Sequence, residues 1–276
     1  MGKKLGSIKV VGVPYDNDFM TQSLIQVIRS ADVLIGHESF IEQVKQFITA
    51  EAQTFDILDQ AETQKDFRDL RIQAAIEQAE LGKHVVMLSS GDPGIWGMAA
   101  YLFPELVKRG YKREDGIDVE VLPGITAAQV AASKLGAPLM NGFAFNALCD
   151  DLTKPEVNDR RFKACAEGDF VTVVYKLRYN AEFNPDFYPI EQYPQFYPPV
   201  QRAKERLQQM VDIFSPERLP ETPVVIASNL GEETERLLVV PLKDLIDHFE
   251  QIDECTILII GNSETRFEDQ WLVALR

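Results

Sequence analysis

The apolar run His84-Val85-Val86-Met87-Leu88 is followed at once by Ser89-Ser90-Gly91-Asp92-Pro93-Gly94-Ile95-Trp96-Gly97 and then by a helical pattern. A strand that feeds a tight glycine-rich turn and a helix is the repeating unit of parallel α/β sheets, whose strand ends meet small molecules. Gly91 can take backbone conformations barred to other residues, so the chain can approach a ligand closely there, and Asp92 stands where such a ligand would lie. Taken alone, the segment also suits a plain strand-to-helix turn.

A second segment of the same build strengthens the site reading. Val121-Leu122-Pro123-Gly124-Ile125-Thr126-Ala127-Ala128 reads as strand, Pro-Gly turn and the start of a helix of small residues, which Gly136 and Pro138 end. The spacing predicts strands at Ile8 to Val11, Val33 to Ile35, Val85 to Leu88 and Val119 to Leu122, with helices at Thr21 to Ala31, Ile41 to Phe47, Lys65 to Leu81 and Ile95 to Lys108 between them. This is a mostly parallel first domain over residues 1–122. In residues 123–276, strands at Phe170 to Tyr175, Val224 to Ala227, Arg236 to Val240, Thr256 to Ile260 and Gln270 to Leu275 include close neighbours that predict hairpins and a mixed sheet. A late helix is expected from Leu242 to Phe249, and a segment rich in Tyr, Phe and Pro, about 177–199, is an insertion that suits an ordered lid or contact arm, or else packing on the domain surface or on a dimer mate.

On these motifs the chain resembles the tetrapyrrole (corrin/porphyrin) methylases, and within them the precorrin-3B C-17 methyltransferases of cobalamin synthesis. The resemblance rests on Ser-Ser-Gly-Asp-Pro-Gly-Ile-Trp-Gly-Met, on Pro-Gly-Ile-Thr-Ala-Ala with Leu-Gly-Ala-Pro-Leu, and on Thr256 to Arg266, which fits the pattern TxxxxGNSxTR. It extends through Asn141 to Phe145, Asp151 to Val157, and Pro223 to Gly231, so it covers nearly the whole chain.

The resemblance implies two α/β domains with a cleft between them and transfer of a methyl group from S-adenosylmethionine to a precorrin-type tetrapyrrole, with contraction of the ring. It places Pro14, Ser90, Gly91, Asp92, Ile95, Thr126, Ala127, Lys176 and Gly231 on the cofactor, and Asp16 and Thr153 on the substrate side. It also implies a homodimer. Methyl transfer of this kind needs placement more than acid, base or nucleophile, which suits a chain with no Ser-His-Asp set.

The chain departs from the family at the first turn, where GxGPGD is expected and Val11-Gly12-Val13-Pro14-Tyr15-Asp16 stands, one residue shorter and with Tyr15 in place of a glycine. It departs again at Lys176-Leu177-Arg178, where the family has Asn-Pro, and in lacking the Pro-Arg-Gly-Tyr ending. These differences keep open a second reading, a non-catalytic relative that binds a tetrapyrrole or a partner protein, and a third, a methylase of another substrate.

Composition narrows the classes further. A formal charge of −15 argues against nucleic acid as partner, because phosphate contacts demand a basic surface. A polycarboxylate substrate then needs local cations, for which Arg160, Arg161 and Lys163 on one predicted helix, Lys154 before it, and Lys176 and Arg178 beyond a strand end are candidates; acidic neighbours make a solvated charged face the plainer reading. The cysteines at 149, 165 and 255 are scattered and without paired histidines, so no metal site or disulfide framework is expected and buried packing is. His37, beside a strand end, is a minor ligand candidate. No apolar run approaches the ~20 residues that span a bilayer, and the start leads into a strand, so a cytoplasmic protein is expected.

Overall fold

A computed structural model describes residues 5–14, 16–57, 64–114, 116–148, 153–177, 200–253 and 255–275. The chain parts into two compact units, Met1–Thr126 and Ala127–Arg276.

The first unit runs β1 (Ser7–Val13), α1 (Gln22–Arg29), β2 (Val33–Ile35), α2 (Glu38–Val44), β3 (Gln53–Phe55), α3 (Gln64–Glu80), β4 (His84–Ser90), α4 (Ala99–Lys108) and β5 (Asp118–Leu122). Its five strands form one sheet in the order β3-β2-β4-β1-β5, and every pairing is parallel. Strand alternation explains the two covers. Ile8, Val10, Val33, Ile35, Val85 and Met87 pack with α3 and α4, while Val11, Val13, Leu34, Val86 and Leu88 pack with α1 and α2. Thr21 caps α1 by accepting the Leu24 N–H at 3.1 Å.

The second unit runs α5 (Ala127–Leu135), β6 (Gly136–Ala137), β7 (Phe143–Ala147), α6 (Pro155–Glu167), β8 (Val171–Tyr175), α7 (Val200–Phe214), β9 (Pro223–Ser228), β10 (Arg236–Pro241), β11 (Thr256–Ile260), β12 (Thr265–Glu268) and β13 (Trp271–Ala274). The main sheet, β10-β9-β11-β8-β7, is mixed: β7 and β8 are parallel, and β11 is antiparallel to both β8 and β9. The C-terminal ends of β7, β8 and β9 therefore share one edge. Phe162 of α6, Leu207 and Phe214 of α7 and Phe249 cover one face over Val174, Val224, Ile226 and Leu258. A small sheet, β12-β13-β6, completes the unit.

At the opposite edge of that main sheet, Arg218 ties the fold together. Its guanidinium, with a side chain 1% exposed, faces the Asp169 carboxylate at 3.2 Å. It also donates to the carbonyls of Gly261, Ala166, Glu217, Cys165 and Phe170. Asp169 accepts in turn from the Ser263 N–H and hydroxyl, and Asn262 closes on Thr265.

Three expectations need correction. The helix placed from Ile95 begins only at Ala99, because Trp96 sits at φ 53° and residues 92–98 stay in turns. The late helix is a 3-10 helix, Leu242–Gln251, buried through Leu242, Leu245 and Phe249. Cys165 is buried as expected, but Cys255 is half-buried; Cys149 lies outside the described residues. β3, β6, β7 and β12 add strands that the spacing did not predict. Among the described residues no helix is long and apolar enough to cross a membrane.

Candidate functional site

In the first unit, the chain leaves β1, β4 and β5 at neighbouring points of one edge, and those exits are stitched together. Gly91 takes φ 59° and donates its N–H to the Val13 carbonyl at 2.9 Å. The Asp92 carboxylate accepts the Gly94 N–H at 2.8 Å with one oxygen and the Gly124 N–H at 3.1 Å with the other. One side chain thus closes its own turn and binds the next strand's Pro-Gly turn to it. A Cβ on Gly12 would fall on the Gly91 carbonyl oxygen and lie 2.7 Å from the Gly124 Cα. Only residues without side chains bring three backbones this close.

The predicted residues of this unit gather here. Pro14 follows β1, is buried, and accepts from the Gln43 side chain at 2.6 Å. Ser90 ends β4 exposed, whereas its neighbour Ser89 is buried and accepts the Met98 N–H at 3.3 Å. Ile95 lies half-buried in the turns after Asp92, and Thr126 is buried behind the Pro-Gly turn. Asp16 caps the short 3-10 turn Asn17–Phe19 by accepting the Asp18 N–H at 2.9 Å. Tyr15 lies outside the described residues.

In the second unit, Lys176 and Gly231 follow β8 and β9 on the shared edge. Lys176 is exposed at φ 56°, and Gly231 takes φ 84°. Ala127 opens α5, and the next residue, Ala128, donates its N–H to the Tyr175 hydroxyl at 3.2 Å, which holds the start of α5 beside the exit of β8. Gly231 is joined to the other end of α5: its N–H donates to Glu235 at 2.7 Å, and Glu235 pairs with Lys134 at 2.9 Å. Thr153 stands half-buried just before α6, and Arg160 lies exposed on that helix. Arg178 lies outside the described residues.

Glu235, Lys134 and Tyr175 were not singled out from the sequence. Their roles come from tertiary contacts, and no turn or spacing signal marks them. His37 caps α2, its Nδ1 3.1 Å from the Ser39 N–H. Burial lowers its pKa below the ordinary imidazole value, with Asp56 pulling the other way and Arg71 adding to the drop. Among the described residues no cluster of His, Cys, Asp and Glu could hold a metal ion. A surface pocket of about 420 Å³ between α1 and β5, lined by Thr21, Gln26, Val27, Glu120 and Leu122 among others, contains none of the predicted site residues.

The first unit's edge can serve a ligand in a definite way. It offers an exposed hydroxyl at Ser90, backbone without side chains at Gly91, and the half-buried Asp92 carboxylate. These groups suit binding and orienting a ligand.

A profile of the tetrapyrrole (corrin/porphyrin) methylases matches residues 7–246. The chain is 31% identical, over 98% of its length, to a cobalt-factor III methyltransferase of Priestia megaterium, of which it spans 45%. It is also 31% identical to a probable cobalt-factor III C(17)-methyltransferase of Salmonella typhimurium, covering 98% of each chain. The solved structure of the methyltransferase CobJ superposes with a TM-score of 0.74 at 26% identity, over 98% of this chain and 100% of that one.

Proposed function

This chain belongs to the tetrapyrrole (corrin/porphyrin) methylases, and on that premise we propose that it is an S-adenosylmethionine-dependent C-methyltransferase of cobalamin synthesis. Its substrate in this reading is a precorrin-3B or cobalt-factor III type macrocycle, methylated at C-17 with contraction of the ring. The observation that carries the reading is the stitched edge of the first unit, where Asp92 binds two turns together beside the exposed Ser90 and the half-buried, side-chain-free Gly91. Its support in kind is the Salmonella protein, matched over nearly the full length of both chains.

When bound, S-adenosylmethionine supplies an electrophilic methyl group, so the protein's work is placement and exclusion of water. The residues fit such a group: the backbone at Gly91 carries no side chain to block approach, and Asp92 offers a fixed acceptor for hydroxyl or amino donors. We assign to the cofactor also Pro14, Ile95 and Thr126 of the first unit and, as the family resemblance implies, Ala127, Lys176 and Gly231 of the second. The substrate side in this reading draws on Asp16, Thr153, Arg160 and Arg178, a guanidinium being the group suited to pair with carboxylates of the macrocycle. We read the protein as a cytoplasmic homodimer.

The test is turnover. Purified protein, incubated with methyl-labelled S-adenosylmethionine and a cobalt-factor III preparation, should place label in the macrocycle and shift its visible spectrum. Unlabelled, spectrally unchanged macrocycle would favour the non-catalytic relative.

A further inference from the structure

The hairpin between β9 and β10 is fastened by hydrogen bonds within its loop and by an ion pair to α5. The register pairs Ser228 with Arg236, leaving residues 229–235 to turn the chain. Two of them are left-handed, Asn229 at φ 52° and Gly231 at φ 84°. A non-glycine residue in that region costs energy that its surroundings must offset.

The fastenings are specific. The Glu232 N–H donates to the Asn229 carbonyl and the Glu235 N–H to the Glu232 carbonyl, each at 3.0 Å. At the root of the loop the buried Ser228 hydroxyl meets the Thr256 hydroxyl at 2.7 Å, and Thr256 donates to Asp253 at 2.7 Å. At its crown the Glu235 carboxylate takes the Gly231 N–H at 2.7 Å and the Lys134 ammonium at 2.9 Å. The Lys134 and Glu235 side chains are 29% and 23% exposed, so water screens this pair less than it screens a surface pair.

We propose that Glu235, held by Lys134, is a positioning residue for the adenosyl cofactor, fixing the turn at Gly231 and tying it to α5, the helix that Ala127 begins. The inference rests on the cofactor reading above. Because its N–H is taken by Glu235, Gly231 meets the cofactor through its carbonyl and its bare Cα. Neither Glu235 nor Lys134 touches the ligand; their effect passes through the turn.

Calorimetric titration with S-adenosylhomocysteine tests this on four proteins: wild type, Glu235→Ala, Glu235→Gln and Lys134→Met. Loss of a charge-assisted hydrogen bond predicts about a tenfold weaker affinity for Glu235→Ala. Glu235→Gln keeps an oxygen for the Gly231 N–H and should return to within about threefold of wild type. Lys134→Met, which frees the carboxylate without removing it, should fall between the two. Melting temperatures should stay within about 3 °C of wild type, since the Lys134 and Glu235 side chains are partly exposed rather than in the core. Wild-type affinity in Glu235→Ala, or a glutamine variant as weak as the alanine one, overturns the proposal. Should Glu235→Ala fail to fold, unchanged affinity in Lys134→Met overturns it equally. Failure of the wild type to bind would instead remove the cofactor reading, and this inference with it.

Discussion

Asp92 joins two turns with one carboxylate, and its substitution tests both that structural role and the proposed one in binding. Asp92→Ala leaves the N–H groups of Gly94 and Gly124 without their acceptor, which should cost about 2 kcal/mol in urea unfolding. It should also weaken S-adenosylhomocysteine binding, and unchanged affinity would remove Asp92 from the cofactor site. Gly12→Ala is a steric test. Its new methyl would overlap the Gly91 carbonyl oxygen, so a loss of about 3 kcal/mol is expected, and a variant as stable as wild type would contradict the close approach. His37 supplies a pH test. Its folded pKa lies below the ordinary 6.5, so as pH falls through that value the unfolded chain takes up the proton first. This residue therefore lowers stability on acidification, and the loss is complete once pH is below the folded value. His37→Asn keeps a capping side chain, and its stability should fall less than that of wild type between about pH 7 and pH 5.

Among the elements, valine- and isoleucine-rich strands were plain in the sequence, and short or exposed strands poor in those residues were not. β1 and β4 announced themselves through valine-rich runs bounded by glycine. β3 is three residues, Gln53–Phe55, on the sheet's edge and largely exposed, so it lacks the apolar signal of a buried strand. β6 spans only Gly136–Ala137 and exists because β13 pairs with it. The glycine turns of the site were legible because backbone conformation selects residue type directly. The Glu235–Lys134 pair was hidden because nothing local distinguishes it from any other surface charge. The block from Gly261 to Thr265 was legible as a motif, but its structural place is the edge opposite Lys176 and Gly231, where Asp169 and Arg218 hold it. Burial lowers the Arg218 pKa while Asp169 raises it, and its five carbonyl partners depend on it. Arg218→Met should thus destabilise the fold by about 3 kcal/mol or more while leaving cofactor affinity unchanged in the folded fraction. A coupled loss of affinity would place this edge in the site.

For the molecule as a whole, a charge of −15 opposes the approach of a polycarboxylate macrocycle at long range. Added salt screens that repulsion over roughly 10 Å at 0.1 M. Stopped-flow association of the macrocycle should therefore quicken with salt, and slowing would show that local cations such as Arg160 dominate the encounter. The central claim, that the turns of this methylase still receive an adenosyl cofactor, is tested most directly by titrating folded wild-type protein with S-adenosylhomocysteine in a calorimeter. The account predicts saturable binding in the micromolar range; no heat at millimolar ligand would contradict it.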